Sequence, residues 1–189
     1  MPDAKGTIDL FSELPICKSC QGIIQQFESK YPCVKKVFCK RGSMDRVEFV
    51  NELDFFIEKI LKKGLSVEGC SKDQMMSLEK QYGRLPEFYN IFLEKMGVSA
   101  GDFKEGTWFF FSELQDINEE TVNLMKENNV TPPYNMFAFL MHQGYTSLFF
   151  TDVIDSDPFV YCYAEGEDIT DINMTFSQFM KAEISEYLN

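Results

Sequence analysis

Residues 136–150, MFAFLMHQGYTSLFF, restrict the fold more than any other stretch of this chain. MFAFLM is apolar throughout, without the alternation of a strand that has one wet face. It therefore reads as a strand buried on both sides. His142-Gln143-Gly144 has the composition of a tight turn, and Tyr145–Phe150 returns as the hairpin partner. Such a hairpin has to lie in a sheet that other elements cover.

The covering elements can be read from helical periodicity and its punctuation. Met44 opens a long helix to Lys63, with Val50, Leu53, Ile57, Ile60 and Leu61 as its apolar stripe. Asp45 and Glu48 stand early and Lys59, Lys62 and Lys63 late, the order that suits the helix dipole, and Gly64 stops it. Ser71 and Gln74 have capping-box spacing for a shorter helix, with Met75, Leu78 and Tyr82 on one face and Gly83 at its end. Leu85-Pro86 starts the next, with proline at the first helical position, Tyr89, Phe92, Leu93 and Met96 inward, and Gly97 closing it.

TWFFF, 107–111, reads as a strand, and NEETVNLMKEN, 118–128, as a helix with acids at its start. PFVYCY, 158–163, is a further strand, with Phe159, Tyr161 and Tyr163 on one face and Val160 and Cys162 on the other. Thr175 and Gln178 form a second capping box for a last helix with Phe176, Phe179, Met180, Ile184 and Leu188 inward. Nineteen Phe point to a tightly packed aromatic core. The expected fold is α+β: a mainly antiparallel sheet wrapped by the helices of 44–63, 72–96 and 175–188.

Residues before Ser43 read differently. TIDLFSEL is a strand, Lys18–Lys30 a helix with Ile23, Ile24 and Phe27 on one face, Tyr31-Pro32 its end, and VKKVFC a second strand. This small β-α-β appendage has too little surface to bury a core of its own. Lys40-Arg41-Gly42-Ser43 looks like a junction, so the expected domains are 1–43 and 44–189.

Charge divides at the same place. Residues 1–43 carry seven Lys/Arg and four Asp/Glu, whereas residues 44–189 carry eleven and twenty-six, so the body has a net charge of −15 within a total of −12. So acidic a body repels nucleic acid and anionic membranes and attracts a basic protein. The plainer reading of the same charge is solubility. No apolar run approaches the length of a membrane span. The start, MPDAKGTIDLF, lacks the basic and apolar regions of a signal peptide. Six Cys without a secretory signal fit free thiols in a reducing compartment, so a cytoplasmic location is expected.

One motif has the spacing of metal ligands. Glu13, Pro15, Cys17 and Cys20 are followed by GIIQQF and by Tyr31-Pro32. Over residues 6–41 this resembles the C-terminal part of zinc-dependent nucleic-acid deaminases, above all the deaminase domains of bacterial polymorphic toxins. The resemblance implies that Cys17 and Cys20 descend from zinc ligands. A deaminase zinc needs a third protein ligand and an adjacent Glu that shuttles the proton, besides the attacking water. The sole histidine, His142, is far downstream and has Gly144 two residues on. Cys33 and Cys39 could complete a four-cysteine set, but their spacing is unlike a zinc ribbon. The motif therefore reads as a vestigial metal pair or as two free thiols. No catalytic residue and no cofactor is expected, zinc being the single candidate.

The body carries a second set of motifs. LPEFYNIFL (85–93), TWFFFSEL (107–114), the hairpin FAFLMHQGYTSLFF, DPFVYCYAEG (157–166) and TFSQF (175–179) occur in an order and spacing that resemble the SUKH superfamily. Most bacterial members are immunity proteins of polymorphic toxin systems, and fungal members include a regulator of cell-wall synthesis. The resemblance implies a SUKH-like fold and a protein that works by binding. With the deaminase-like piece in front, it implies a non-catalytic immunity protein whose partner is a cognate toxin, with no nucleic-acid or membrane partner of its own. Partner-binding candidates are Trp108 as an aromatic anchor and the acids near predicted loops: Asp116, Glu119, Glu120, Asp152, Asp155, Asp157, Glu165 and Glu167. Each acid has the alternative reading of an ordinary solvated position. For the whole chain, the alternatives are a zinc deaminase fragment and a housekeeping regulator or scaffold of the same fold.

Overall fold

The expected hairpin lies at the centre of the sheet. The computed structural model describes residues 6–12, 27, 30, 31, 34–40 and 44–189. The chain divides into two units, Met1–Ser43 and Met44–Asn189. In the first, β1 (Gly6–Ser12) and β2 (Val34–Lys40) pair in parallel, from Gly6 opposite Val34 to Ser12 opposite Lys40. A parallel pair needs a crossover, as the β-α-β reading requires. Phe27 and Lys30 are helical, and the Tyr31 N–H closes on the Phe27 carbonyl at 2.9 Å. The rest of that predicted helix, Cys20 included, and Cys17 just before it lie outside the described residues.

The second unit runs α1 (Arg46–Lys62), β3 (Val67–Glu68), α2 (Lys72–Tyr82), α3 (Glu87–Met96), β4 (Ser99–Ala100), β5 (Thr107–Trp108), α4 (Leu114–Glu127), β6 (Phe137–His142), β7 (Thr146–Phe150), β8 (Phe159–Ala164), β9 (Thr170–Thr175) and α5 (Phe176–Leu188). Strands β5 to β9 form one antiparallel sheet in sequence order, and β3 pairs with β4 apart from it. The α+β architecture expected from the sequence is therefore present.

Both faces of the sheet are covered at β6, which is why that strand is apolar without alternation. On one face, Phe139 and Phe150 stack at 4.6 Å and meet Tyr89 of α3 and Phe176 of α5 edge-on or tilted. Phe176 and Phe88 in turn meet Phe49 of α1. On the other face α4 docks through polar contacts described below. Phe49, Phe92, Phe109, Phe139, Phe149, Phe150 and Phe176 are all fully buried, each contributing roughly 1.5–3 kcal/mol of hydrophobic stabilisation.

Several local expectations need correction. The inward stripe of α1 is Phe49, Leu53, Phe56 and Ile60; Val50 and Ile57 only flank it, and Leu61 is 54% exposed. The rings of Phe49 and Phe56 reach the core and set the helix's rotation, with Phe56 wedged against Phe103 and Tyr187. Pro86 is the N-cap of α3 rather than its first helical residue. TWFFF is strand only at Thr107–Trp108. The Glu113 carboxylate takes the N–H groups of Phe109 and Phe110 (2.7 and 3.0 Å), turns the chain into a 3₁₀ segment at Phe111–Glu113 and starts α4 at Leu114. Strand β9 lies where no strand was expected. Leu188 ends α5 36% exposed, while Tyr187 packs inward. In β8 a register shift between Phe159 and Tyr161 breaks the expected alternation, and Val160 and Tyr163 are its fully buried residues.

Candidate partner-binding surface

Trp108 stands on the edge strand, opposite Met141, next to the β6–β7 turn. Its neighbour Phe109 is fully buried, which directs alternate side chains inward and outward and leaves the indole 42% exposed. The turn is tight because Gln143 (φ 51°) and Gly144 (φ 79°) both take the left-handed conformation. His142 Nδ1 lies 2.8 Å from Thr107 Oγ1, pinning the edge strand to the turn. His142 is thus a hydrogen-bonded residue at the end of β6, beside the turn. The Glu165 N–H donates to the Tyr145 carbonyl at 2.8 Å, which brings the β8–β9 turn, with Glu165 and Glu167, to the same end of the sheet. Trp108, Glu120, Met141, Gln143, Gly106 and Gly144 line a concavity of ≈ 340 Å³.

Helix α4 supplies the acidic wall of this surface, and its seating explains which carboxylates face out. Asn118 Nδ2 donates to the Leu114 and Ala138 carbonyls, both at 2.8 Å, and its Oδ1 accepts the Ala138 N–H at 2.9 Å. Strand β5 reaches only Met141 and His142 along that edge of β6, and the Asn118 amide takes the place of a strand partner for Ala138. One turn on, buried Thr121 Oγ1 and Ser147 Oγ lie 2.6 Å apart. With Asn118 and Thr121 inward, Asp116, Glu119 and Glu120 are exposed. Glu120 lines the concavity together with Trp108. Asp116 and Glu119 lie on the side of Tyr82, whose phenol is raised above its ordinary pKa, chiefly by burial and then by these two charges.

The remaining acids are at the opposite end, in the β7–β8 loop. Asp152 Oδ1 accepts the N–H groups of Ile154 and Asp155, and Asp155 accepts that of Asp157, so both carboxylates shape the loop. Asp157 leaves the set of accessible candidates. It is 6% exposed, and its two oxygens hold Ser177 N (2.9 Å) and Ser177 Oγ (2.7 Å) at the start of α5. Burial raises its pKa, although the Ser177 and Thr175 hydrogen bonds oppose the shift. A carboxylate followed by proline at a loop end, DP, gave no sign of this capping role.

Charge on the sheet half is markedly one-sided. Between Lys104 and Lys181 the sequence has thirteen Asp and Glu and a single basic residue, Lys126. The ion pairs Arg46–Glu87, Lys62–Glu58, Lys95–Asp54, Lys104–Glu183 and Lys181–Glu48 all involve the helices of the other face or the loop beside them. Asp116, Glu119, Glu120, Glu165 and Glu167 make no ion pair among the described residues. No group of three or more His, Cys, Asp or Glu among the described residues could hold a metal ion. Burial pushes the Cys70 thiol up to about 11 and raises that of Cys162, the opposite of what a reactive or metal-binding cysteine needs. No described helix is long and apolar enough to cross a membrane.

Of the predicted residues, the structure brings Trp108 and Glu120 into one concavity and Glu165 and Glu167 to the same end of the sheet. Met141, Gln143, Gly106 and Gly144 were missed as site residues. The HQG turn and the edge position of TWFFF were the available signals. Comparison with family models, with curated proteins and with solved structures finds no match.

Proposed function

We propose that this chain is a cytoplasmic, non-enzymatic immunity protein of the SUKH kind, which binds and neutralises a basic toxin that acts on nucleic acid. The deaminase-like stretch at 6–41 points to the deaminase class of toxin. The observation that supports this most is the charge segregation: thirteen carboxylates to one Lys over the sheet half, with an exposed Trp among them. A toxin that grips phosphates carries a basic cleft, and an array of carboxylates attracts such a cleft as phosphates do. A half-exposed Trp beside a concavity is the residue type that most often anchors a protein interface. Carboxylates steer the encounter, and the indole holds the complex once water is excluded.

The test is inhibition. The full chain is added stoichiometrically to a toxin deaminase domain whose C-terminal part reads like residues 6–41, and deamination of single-stranded DNA and RNA is followed. Loss of activity at a one-to-one ratio supports the proposal. Undiminished deamination at a large excess of the chain removes it.

A further inference from the structure

The concavity at Trp108 has the chemistry of a seat for one cationic side chain. Its volume of ≈ 340 Å³ is at the small end of the range for ligand sites, enough for one side chain rather than a cofactor. The indole of Trp108 offers an aromatic face, Met141 apolar contact, and Glu120 a carboxylate. Gly106 and Gly144 leave the mouth open: both have positive φ (78° and 79°), and a Cβ at either would meet nothing within 4 Å. Gln143 Oε1 accepts the Tyr145 hydroxyl at 2.9 Å, which holds this wall in place. No Lys or Arg lines the concavity, and Lys104, the nearest in sequence, pairs with Glu183. The negative wall therefore has no cation of its own among the described residues.

Resting on the reading of this face as toxin-binding, we infer that the Trp108–Glu120 concavity receives an arginine side chain of the partner. Arginine fits better than lysine for two physical reasons. A planar guanidinium stacks on an indole while its edge remains free to donate, and its fork of N–H groups matches a carboxylate in two parallel hydrogen bonds. An ammonium can satisfy either the ring or the carboxylate well, but it offers no flat face to the first and no fork to the second.

Trp108 is the only tryptophan in the chain, so its emission reports on this concavity directly. The full chain is titrated with three acetylated, amidated tripeptides: Gly-Arg-Gly, Gly-Lys-Gly, and the analogue with citrulline, which has the shape of arginine without its charge. The expected result is a saturable emission change with the arginine peptide, at a Kd about tenfold or more below that of the citrulline peptide, with lysine between them. Glu120→Gln raises the arginine Kd about tenfold and leaves the citrulline Kd unchanged, whereas Glu127→Gln, exposed on the same helix outside the concavity, changes neither. Equal binding of arginine and citrulline peptides, no saturation up to the solubility of the peptide, or an unchanged arginine Kd in Glu120→Gln overturns the inference. A toxin that binds the full chain without moving Trp108 emission also removes the arginine seat, yet leaves the immunity reading in place. Arginine-peptide binding by a chain that captures no toxin has the opposite meaning.

Discussion

Asn118→Ala tests how α4, the helix that carries Glu120, is held on the sheet. The Asn118 side chain makes three hydrogen bonds of 2.8, 2.8 and 2.9 Å, two of them to the N–H and C=O of Ala138. Truncation removes all three and leaves both Ala138 groups without a protein partner at a part-buried position. Each such bond contributes about 1 kcal/mol net, and a buried group left unmade costs about 1–3 kcal/mol, offset here by some access of water. The expected loss is therefore about 2–4 kcal/mol. Asn118→Asp should lose at least as much, because a carboxylate still accepts the Ala138 N–H but faces the Leu114 and Ala138 carbonyls. Asn123→Ala, exposed on the same helix, should stay within about 0.5 kcal/mol of the parent. Equilibrium urea unfolding followed by Trp108 emission reads the second unit alone, since no other tryptophan contributes. An Asn118→Ala variant within about 0.5 kcal/mol of the parent would refute the idea that this amide stands in for a strand partner.

Other consequences can be checked separately. Gly69→Ala places a Cβ 1.9 Å from the Glu94 carbonyl oxygen and 2.7 Å from its carbon, backbone that cannot swing away; a loss of about 3 kcal/mol or more is expected in the same assay. Gly64→Ala, with φ 78° and open space, should lose only about 1 kcal/mol, and equal effects at the two positions would contradict this packing. Burial holds the Asp157 carboxyl above its ordinary value, so its contribution is full below the unfolded carboxylate pKa and is lost as pH rises through the folded one. Relative to Asp157→Asn, which can keep both Ser177 bonds, the parent should therefore lose stability as pH rises across the carboxylate range in urea titrations; a parent that gains stability relative to Asp157→Asn over that range, or keeps pace with it, would refute the assignment. The Cys70 thiol, pushed up to about 11, should alkylate at pH 8 at least roughly tenfold more slowly in the folded chain than in urea, as read by mass spectrometry; equal rates would contradict its burial.

What the sequence disclosed, and what it hid, follows the range of the interactions involved. The hairpin at 136–150, the capping boxes at Ser71 and Thr175 and the glycine stops are local signals, and each stands where it was expected. The α1 stripe is hidden from aliphatic periodicity alone, because the rings of Phe49 and Phe56 decide the rotation only once Phe88, Phe103 and Phe176 are in place. Strand β9 has a single buried residue, Thr175, so an edge strand left no apolar pattern to find. TWFFF reads as a full strand, and only the Glu113 carboxylate, folding back on Phe109 and Phe110, cuts it short. At the site, Trp108 and Glu120 were legible as types: a lone tryptophan beside a turn, and an acid on a polar helix. Their meeting was not, because it depends on Asn118 and Thr121 bonding to residues twenty and more positions away. Asp157 is the reverse case, an acid whose charge suggests the surface but whose carboxylate the fold uses to hold Ser177 in the first turn of α5, after the Thr175 cap.

The central claim is that the acidic sheet half binds a basic, nucleic-acid-targeting toxin. Its most direct measurement is a calorimetric titration of the full chain with a toxin deaminase domain whose tail reads like residues 6–41, at low and at raised salt. The expected result is one-to-one binding with a submicromolar Kd, on the order of 10⁻⁷ M or tighter, that weakens as salt rises because surface carboxylates do much of the steering. Absence of binding at every salt concentration, or tight binding indifferent to salt and to Trp108→Ala, would contradict it.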